Sequence, residues 1–222
     1  MLAPVKERAD LVVDHPAKTQ LHIKAKDGQK RWSWCDALFM APPVYAQLTR
    51  ITGDPKYLKF MNAEFYATTS KLYDTEERLF YRDASFMDMR EPNGRKVFWS
   101  RGNGWVYAGL AILLETVPES DPSYDFYRRL FLEMTDALLA CQDENGFTYG
   151  LAWGVNHGIL KGKVYRKAAK RSWKTLCSYV REDGRMEYVQ PVGARPRITK
   201  PDQTEGYGVG AFLLAASEIV KM

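Results

Sequence analysis

The sequence predicts an all-α protein, and three observations carry that reading. Apolar residues recur at three- and four-residue intervals through eight stretches of the chain. The breaks between stretches carry helix stop and start signals, most plainly Gly53-Asp54-Pro55 and Asp121-Pro122. No segment alternates polar and apolar residues long enough for a sustained strand.

The first helix is expected over Ala3–Asp14, with its apolar residues on one face and its end near His15-Pro16. A polar stretch, Ala17–Arg31, leads to a helix over about Trp34–Ile51, which Gly53 stops because glycine adopts the left-handed C-terminal conformation without strain. Asp54 then caps a new helix with Pro55 at its first position, and Tyr57, Leu58, Met61 and Phe65 follow at helical spacing. Asp121-Pro122 repeats the device before a helix reaching about Cys141. Gly104–Val117, Thr148–Leu160, Val164–Val180 and Gly206–Lys221 complete the eight. Leu79–Asp83 and Lys96–Trp99 flank Glu91-Pro-Asn-Gly94 and predict a short irregular hairpin.

Composition bounds the rest. With 222 residues, 45% of them hydrophobic and 13% aromatic, the chain can bury a sizeable core, about 70% of its unfolded surface. Length allows one domain or two, and residues 1–222 are read as one. The net charge of +5 favours acidic partners weakly. Seven basic residues gather between Lys161 and Lys174, which on a helix read as a solvated face rather than a nucleic-acid site. Cys35, Cys141 and Cys177 are odd in number and far apart, lack metal-ligand spacing and lie in apolar helical contexts. Reduced core thiols, no metal site and no cofactor are expected. The N-terminus has no apolar signal core and no run approaches a membrane span, so a soluble, cytoplasmic protein without membrane contact is expected. Nothing in the sequence speaks to oligomeric state.

An internal repeat supports paired helices. Trp34 to Phe65 and Trp99 to Met134 each read as aromatic entry, apolar helix, Asp-Pro-x-Tyr turn and amphipathic helix. Their turn tyrosines, Tyr57 and Tyr124, stand 67 residues apart, whereas Tyr165 of a third unit follows only 41 residues on. The shortfall of 26 residues falls at Asn145-Gly146-Phe147, where a turn signal runs straight into an apolar helix.

Two clusters carry the chemistry. Phe98-Trp99-Ser-Arg101-Gly-Asn-Gly-Trp105 sets a cation, two glycines, a capping Asn103 and two indoles at the mouth of an apolar helix. Arginine offers a rigid fork of donors for a carboxylate, and tryptophan a flat face for a sugar ring. Trp32-Ser-Trp34-Cys-Asp36-Ala-Leu-Phe39-Met40 surrounds one carboxyl with aromatic and sulfur groups. Together they predict a pocket for an acidic carbohydrate. From the residues alone, Asp36 is either a helix cap or an acid whose pKa rises in that apolar setting. Trp34 and Met40 line the pocket or sit in the core; Arg101 contacts the ligand or a neighbouring helix; Trp105 stacks on the sugar or packs inside. The spacing of four puts Arg101 and Trp105 on one helix face if the helix already includes Arg101. His157, near Trp153 on an apolar helix, reads as a packed histidine.

The motifs Trp34-Cys-Asp36-Ala-Leu-Phe-Met-Ala-Pro-Pro43, Leu79-Phe-Tyr-Arg-Asp83, Phe98 to Trp105, Tyr149 to Asn156 and Tyr207 to Phe212 resemble glycoside hydrolase family 105. These are the unsaturated rhamnogalacturonyl hydrolases, relatives of the unsaturated glucuronyl hydrolases of family 88, and the resemblance covers Val5–Lys221. It implies an (α/α)6 barrel of twelve helices, of which about eight are found here. Two hairpins before Met1 and an active-site loop after Gly146 are then expected to be missing.

The activity implied is removal of a terminal 4,5-unsaturated uronic acid from a pectin-derived acidic oligosaccharide by hydration of its vinyl ether. By the same resemblance Asp36 is the general acid and base, Trp105 stacks on the unsaturated sugar and Arg101 makes a polar contact. Arg82 stands where relatives carry a sugar-contacting histidine. The competing readings are an inactive fragment of such an enzyme and another helical-toroid carbohydrate enzyme, an epimerase or a lyase. Three scattered histidines argue against an epimerase, which uses a pair.

Overall fold

The computed structural model describes residues 2–22, 24, 30–141, 147–193 and 198–222. It is mainly helical and divides into two compact units, Met1–Ala137 and Leu138–Met222. The proposed loop deletion at Asn145-Gly146 and much of the polar stretch before Lys30 lie outside the described residues.

The first unit opens with α1 (Leu2–Asp14), followed by α2 (Ala37–Met40), α3 (Pro42–Thr52) and α4 (Lys56–Leu72). The helix expected over Trp34–Ile51 is therefore two helices. Pro42 and Pro43 have no N–H to give to the carbonyls of Leu38 and Phe39, so the α-helical ladder must stop at Ala41 and restart with proline in the first turn. Gly53 ends α3 as expected, with φ of 73° and its N–H on Thr49 O at 2.8 Å. Asp54 caps the next helix by accepting from Lys56 N–H at 2.9 Å. α1 is tied to α4 through Asp10, which accepts from the Tyr57 hydroxyl at 2.6 Å and pairs with Lys56 at 2.8 Å.

β1 (Tyr73–Asp74) and β2 (Leu79–Phe80) form an antiparallel pair with Tyr73 opposite Phe80. This corrects the expected hairpin, since Leu79–Phe80 pairs backward, through a turn at Arg78 with φ of 57°. The Glu91-Pro-Asn-Gly94 turn closes only a single bridge, Arg90 to Lys96. α5 (Ser100–Thr116) is the central helix of this unit, and its Val106, Tyr107, Leu110, Ala111 and Leu113 are buried. Along α6 (Tyr124–Cys141), Tyr127, Phe131 and Met134 are buried in turn; Phe131 stacks on Tyr107 with centroids 4.5 Å apart.

In the second unit α7 (Thr148–Asn156) packs against both α8 (Lys163–Ser178) and α9 (Gly206–Ile219). Thr148 donates to Ser172 at 2.8 Å, Asn156 donates to Glu218 at 2.9 Å, and Trp173 stacks on Phe212 at 4.7 Å. The basic residues from Lys161 to Lys174 are all exposed, while Ala168, Ala169 and Ser172 face inward. Two expectations fail here. Cys177 is exposed, as is Cys141, and only Cys35 is a core thiol. His157 is also exposed; it follows the end of α7 and stacks on Trp153 with centroids 4.5 Å apart. Among the described residues no helix is long and apolar enough to cross a membrane, and no group of His, Cys, Asp or Glu has the makings of a metal site.

Candidate active site

The site is built where the start of α2 meets the start of α5. Two backbone approaches make that meeting possible. A Cβ on Gly109 would collide with the carbonyl oxygen of Leu38 and stand 3.0 Å from Phe39 Cα, so α2 lies directly on the α5 backbone. A Cβ on Gly102 would stand 2.8 Å from Cys35 Sγ and collide with the Trp99 ring. Both glycines serve close packing.

Asn103 was expected to cap the helix. It instead lies inside α5, buried, and does a different job. Its amide accepts from Phe80 N–H at 2.8 Å and donates to Phe80 O at 2.9 Å and to Trp99 O at 3.1 Å. A side chain thus supplies β2 with the ladder bonds of a missing neighbouring strand, and so fixes the chain that leads to Arg82.

The approach to Asp36 is held as firmly. Arg31 and Glu64 form an ion pair at 2.7 Å, and Thr68 of α4 donates to Trp32 O at 2.7 Å. Cys35 N–H donates to Arg82 O at 2.9 Å, which joins the Trp32–Met40 cluster to the Leu79–Asp83 motif.

Asp36 takes the N-cap position of α2 without a side-chain cap bond. Burial pushes its carboxyl above the usual carboxylate range and outweighs the opposing pull of the Asp36 and Ala37 backbone N–H groups and of the Arg101 and Arg82 guanidiniums. Arg101 lies within α5, which settles its spacing to Trp105: the two share a helix face. Its guanidinium carbon stands 4.8 Å from the Trp99 ring centre. Trp105 is half-buried and packs on Phe39 with centroids 4.7 Å apart. Trp34 is half-buried too, edge-on to Trp99 at 6.3 Å, and its indole N–H has no hydrogen-bond partner among the described residues. Met40, 54% exposed at the end of α2, is not a core residue. The guanidinium of Arg82 sits between two rings, 4.4 Å from Trp34 and 4.1 Å from Phe86. All six residues singled out from the sequence thus lie in the first unit.

Asp83 was not singled out. It is wholly buried and binds Arg82 Nε at 2.7 Å. Its signal was present in the sequence: Asp83 followed two places on by Ser85 is the pattern of a side chain that closes a turn on its own backbone.

The family model described as Glycosyl Hydrolase Family 88 matches residues 1–148 and 146–222. The chain belongs to this family. The two matched pieces meet where the helical repeat is 26 residues short. Among curated relatives, the unsaturated 3S-rhamnoglycuronyl hydrolases of Alteromonas sp. (strain LOR) and Formosa agariphila are 38% and 42% identical to it. They align with 98% and 86% of this family 88 chain and 60% and 58% of their own lengths. The chain therefore spans about 60% of those relatives. The Alteromonas alignment runs over 250 positions against a chain of 222, so that relative carries insertions. A solved polysaccharide lyase is 33% identical, with a TM-score of 0.88 over 99% of this chain and 67% of its own. The all-α fold class of these relatives is that of the family 88 chain, and the resemblance drawn from the motifs holds.

Proposed function

We propose that the chain carries the catalytic face of a hydrolase that removes a terminal 4,5-unsaturated uronic acid from an acidic oligosaccharide. The carrying observation is Asp36: a carboxyl pushed up by burial, flanked by aromatic rings and facing two guanidiniums. The C4=C5 bond of the sugar is a vinyl ether. Asp36 in its acid form gives a proton to C4, and the positive charge that develops at C5 is shared with the ring oxygen. The Asp36 carboxylate then takes a proton from water as that water adds to C5. The resulting hemiketal opens and releases the second sugar. One carboxyl serves both steps, so the paired carboxylates of ordinary glycosidases are not needed.

Trp105 offers its ring face to the unsaturated sugar, supported from behind by Phe39. Arg101 and Arg82 bind the substrate's anionic groups, and Trp34 and Met40 form part of the wall. The names of the curated relatives print a 3S-rhamnoglycuronyl substrate, which we take as a rhamnose sulfated at O3 next to the uronate; rhamnogalacturonan disaccharides are the second substrate to try.

The test follows the conjugated double bond in the near ultraviolet after adding unsaturated uronyl-rhamnose disaccharides, sulfated and not. Loss of absorbance is expected. Because only protonated Asp36 can donate, kcat/KM is expected to fall as pH rises through the raised pKa of Asp36. No loss of absorbance with either substrate, or a rate flat across that limb, removes the assignment.

A further inference from the structure

Arg82 and Asp83 are neighbours in sequence, and their side chains turn back on each other to make an ion pair of 2.7 Å. The carboxylate has no solvent exposure and the Arg82 side chain only 12%. A carboxyl group this deep is costly to bury unless its oxygens are satisfied. They are: one accepts from Ser85 N–H at 2.8 Å and Ser85 Oγ at 2.5 Å, the other from Arg82 Nε. Arg82 is held from several sides. Its Nε is pinned, its plane is held between Trp34 and Phe86, and its backbone oxygen is bound by Cys35 N–H next to Asp36. A guanidinium in a folded protein ordinarily gives up rotamer freedom when it binds an anion; here most of that ordering is already done.

We propose that Asp83 is a positioning residue that locks Arg82 as the reader of a substrate oxyanion beside Asp36. The location of the substrate rests on the hydrolase reading above. The oxyanion is either the carboxylate of the unsaturated uronate or a sulfate on the next sugar. Asp83 touches neither; it acts through Arg82.

The full-length protein tests this with three variants. Asp83→Asn keeps an oxygen for Ser85 and so keeps the turn, but removes the charge that holds Arg82. Ser85→Ala loosens the turn and leaves the ion pair. Arg82→Gln removes the reader. Asp83→Asn is expected to raise KM about 10- to 100-fold, the range of a charge-assisted hydrogen bond, with kcat within about threefold. Ser85→Ala is expected to leave both within about threefold. The double variant Arg82→Gln/Asp83→Asn is expected to be no worse than Arg82→Gln, because the two act as one device. A loss confined to the sulfated disaccharide identifies the sulfate; an equal loss on both identifies the uronate carboxylate.

The same variants are titrated with both disaccharides by calorimetry, which needs no turnover. If the parent protein hydrolyses neither sugar but binds them, and Asp83→Asn loses that binding, the device stands and the hydrolase reading falls. An unchanged affinity in Asp83→Asn, an equal effect of Ser85→Ala, multiplicative losses in the double variant, or no binding by the parent each overturns the proposal.

Discussion

Asp36→Asn is expected to abolish turnover, lowering kcat by about 10²- to 10⁴-fold, the usual weight of a general acid. The amide keeps the shape of the carboxyl and the apolar contacts around it, so affinity for the disaccharide is expected to change little. A second outcome sharpens the test. Burial raises the folded-state pKa of Asp36 above its unfolded value. The stability contribution of such a group is fully present below the unfolded pKa, about 3.9, and is lost as pH rises through the folded pKa. At neutral pH the ionised Asp36 is therefore a liability to the fold. Asp36→Asn is expected to melt at a higher temperature than the parent at pH 7, and the difference to vanish near pH 3. Retention of more than about a tenth of kcat, or a variant less stable at pH 7, contradicts the role given to this carboxyl.

Gly109→Ala is expected to destabilise the protein and impair the site together. Judged by helix propensity alone, alanine in the interior of α5 gains about 1 kcal/mol over glycine. The packing predicts the opposite sign. The new methyl group meets the Leu38 carbonyl and Phe39 Cα, which are backbone atoms and have no rotamer to change. α2 must move off α5, at an expected net cost of about 1–3 kcal/mol, and Asp36 moves with it. Denaturant unfolding and kcat are the two readouts. A variant as stable as the parent means that α2 does not rest on α5 as described.

Where a side chain acts on its own neighbours, the sequence was readable. Gly53 and Asp54 stop and start helices through bonds to residues four and two away, and both were placed correctly. The helical face shared by Arg101 and Trp105 stayed conditional, because the helix was expected from Gly104 and in fact begins at Ser100. Asn103 was misread because its partners, the Phe80 N–H and C=O, lie 23 residues away in a strand too short to leave a pattern. The apolar rhythm continues on both sides of Pro42-Pro43, so periodicity alone reads as one helix where the prolines make two. Cys141 and Cys177 share the apolar spacing of buried positions, yet that spacing does not say which stretch of a helix lacks a covering neighbour. The Asp83–Ser85 turn is legible in the sequence, but the hold of Asp83 on Arg82 depends on where that side chain points, which packing decides.

Cys35 has one more consequence. Its thiol is wholly buried against Trp99 and Gly102, at the seam where α2 meets α5, and burial pushes its pKa up. An alkylating reagent reaches it only when that seam parts. Exposed Cys141 and Cys177 react without waiting, so the same tube holds its own clock. The ratio of the slow label to the fast ones, read by mass spectrometry, measures how often the catalytic corner breathes. A bound disaccharide is expected to slow Cys35 alone. The molecule thus carries a native chemical reporter on the residue next to its acid, and the opening of the site can be timed without adding a probe.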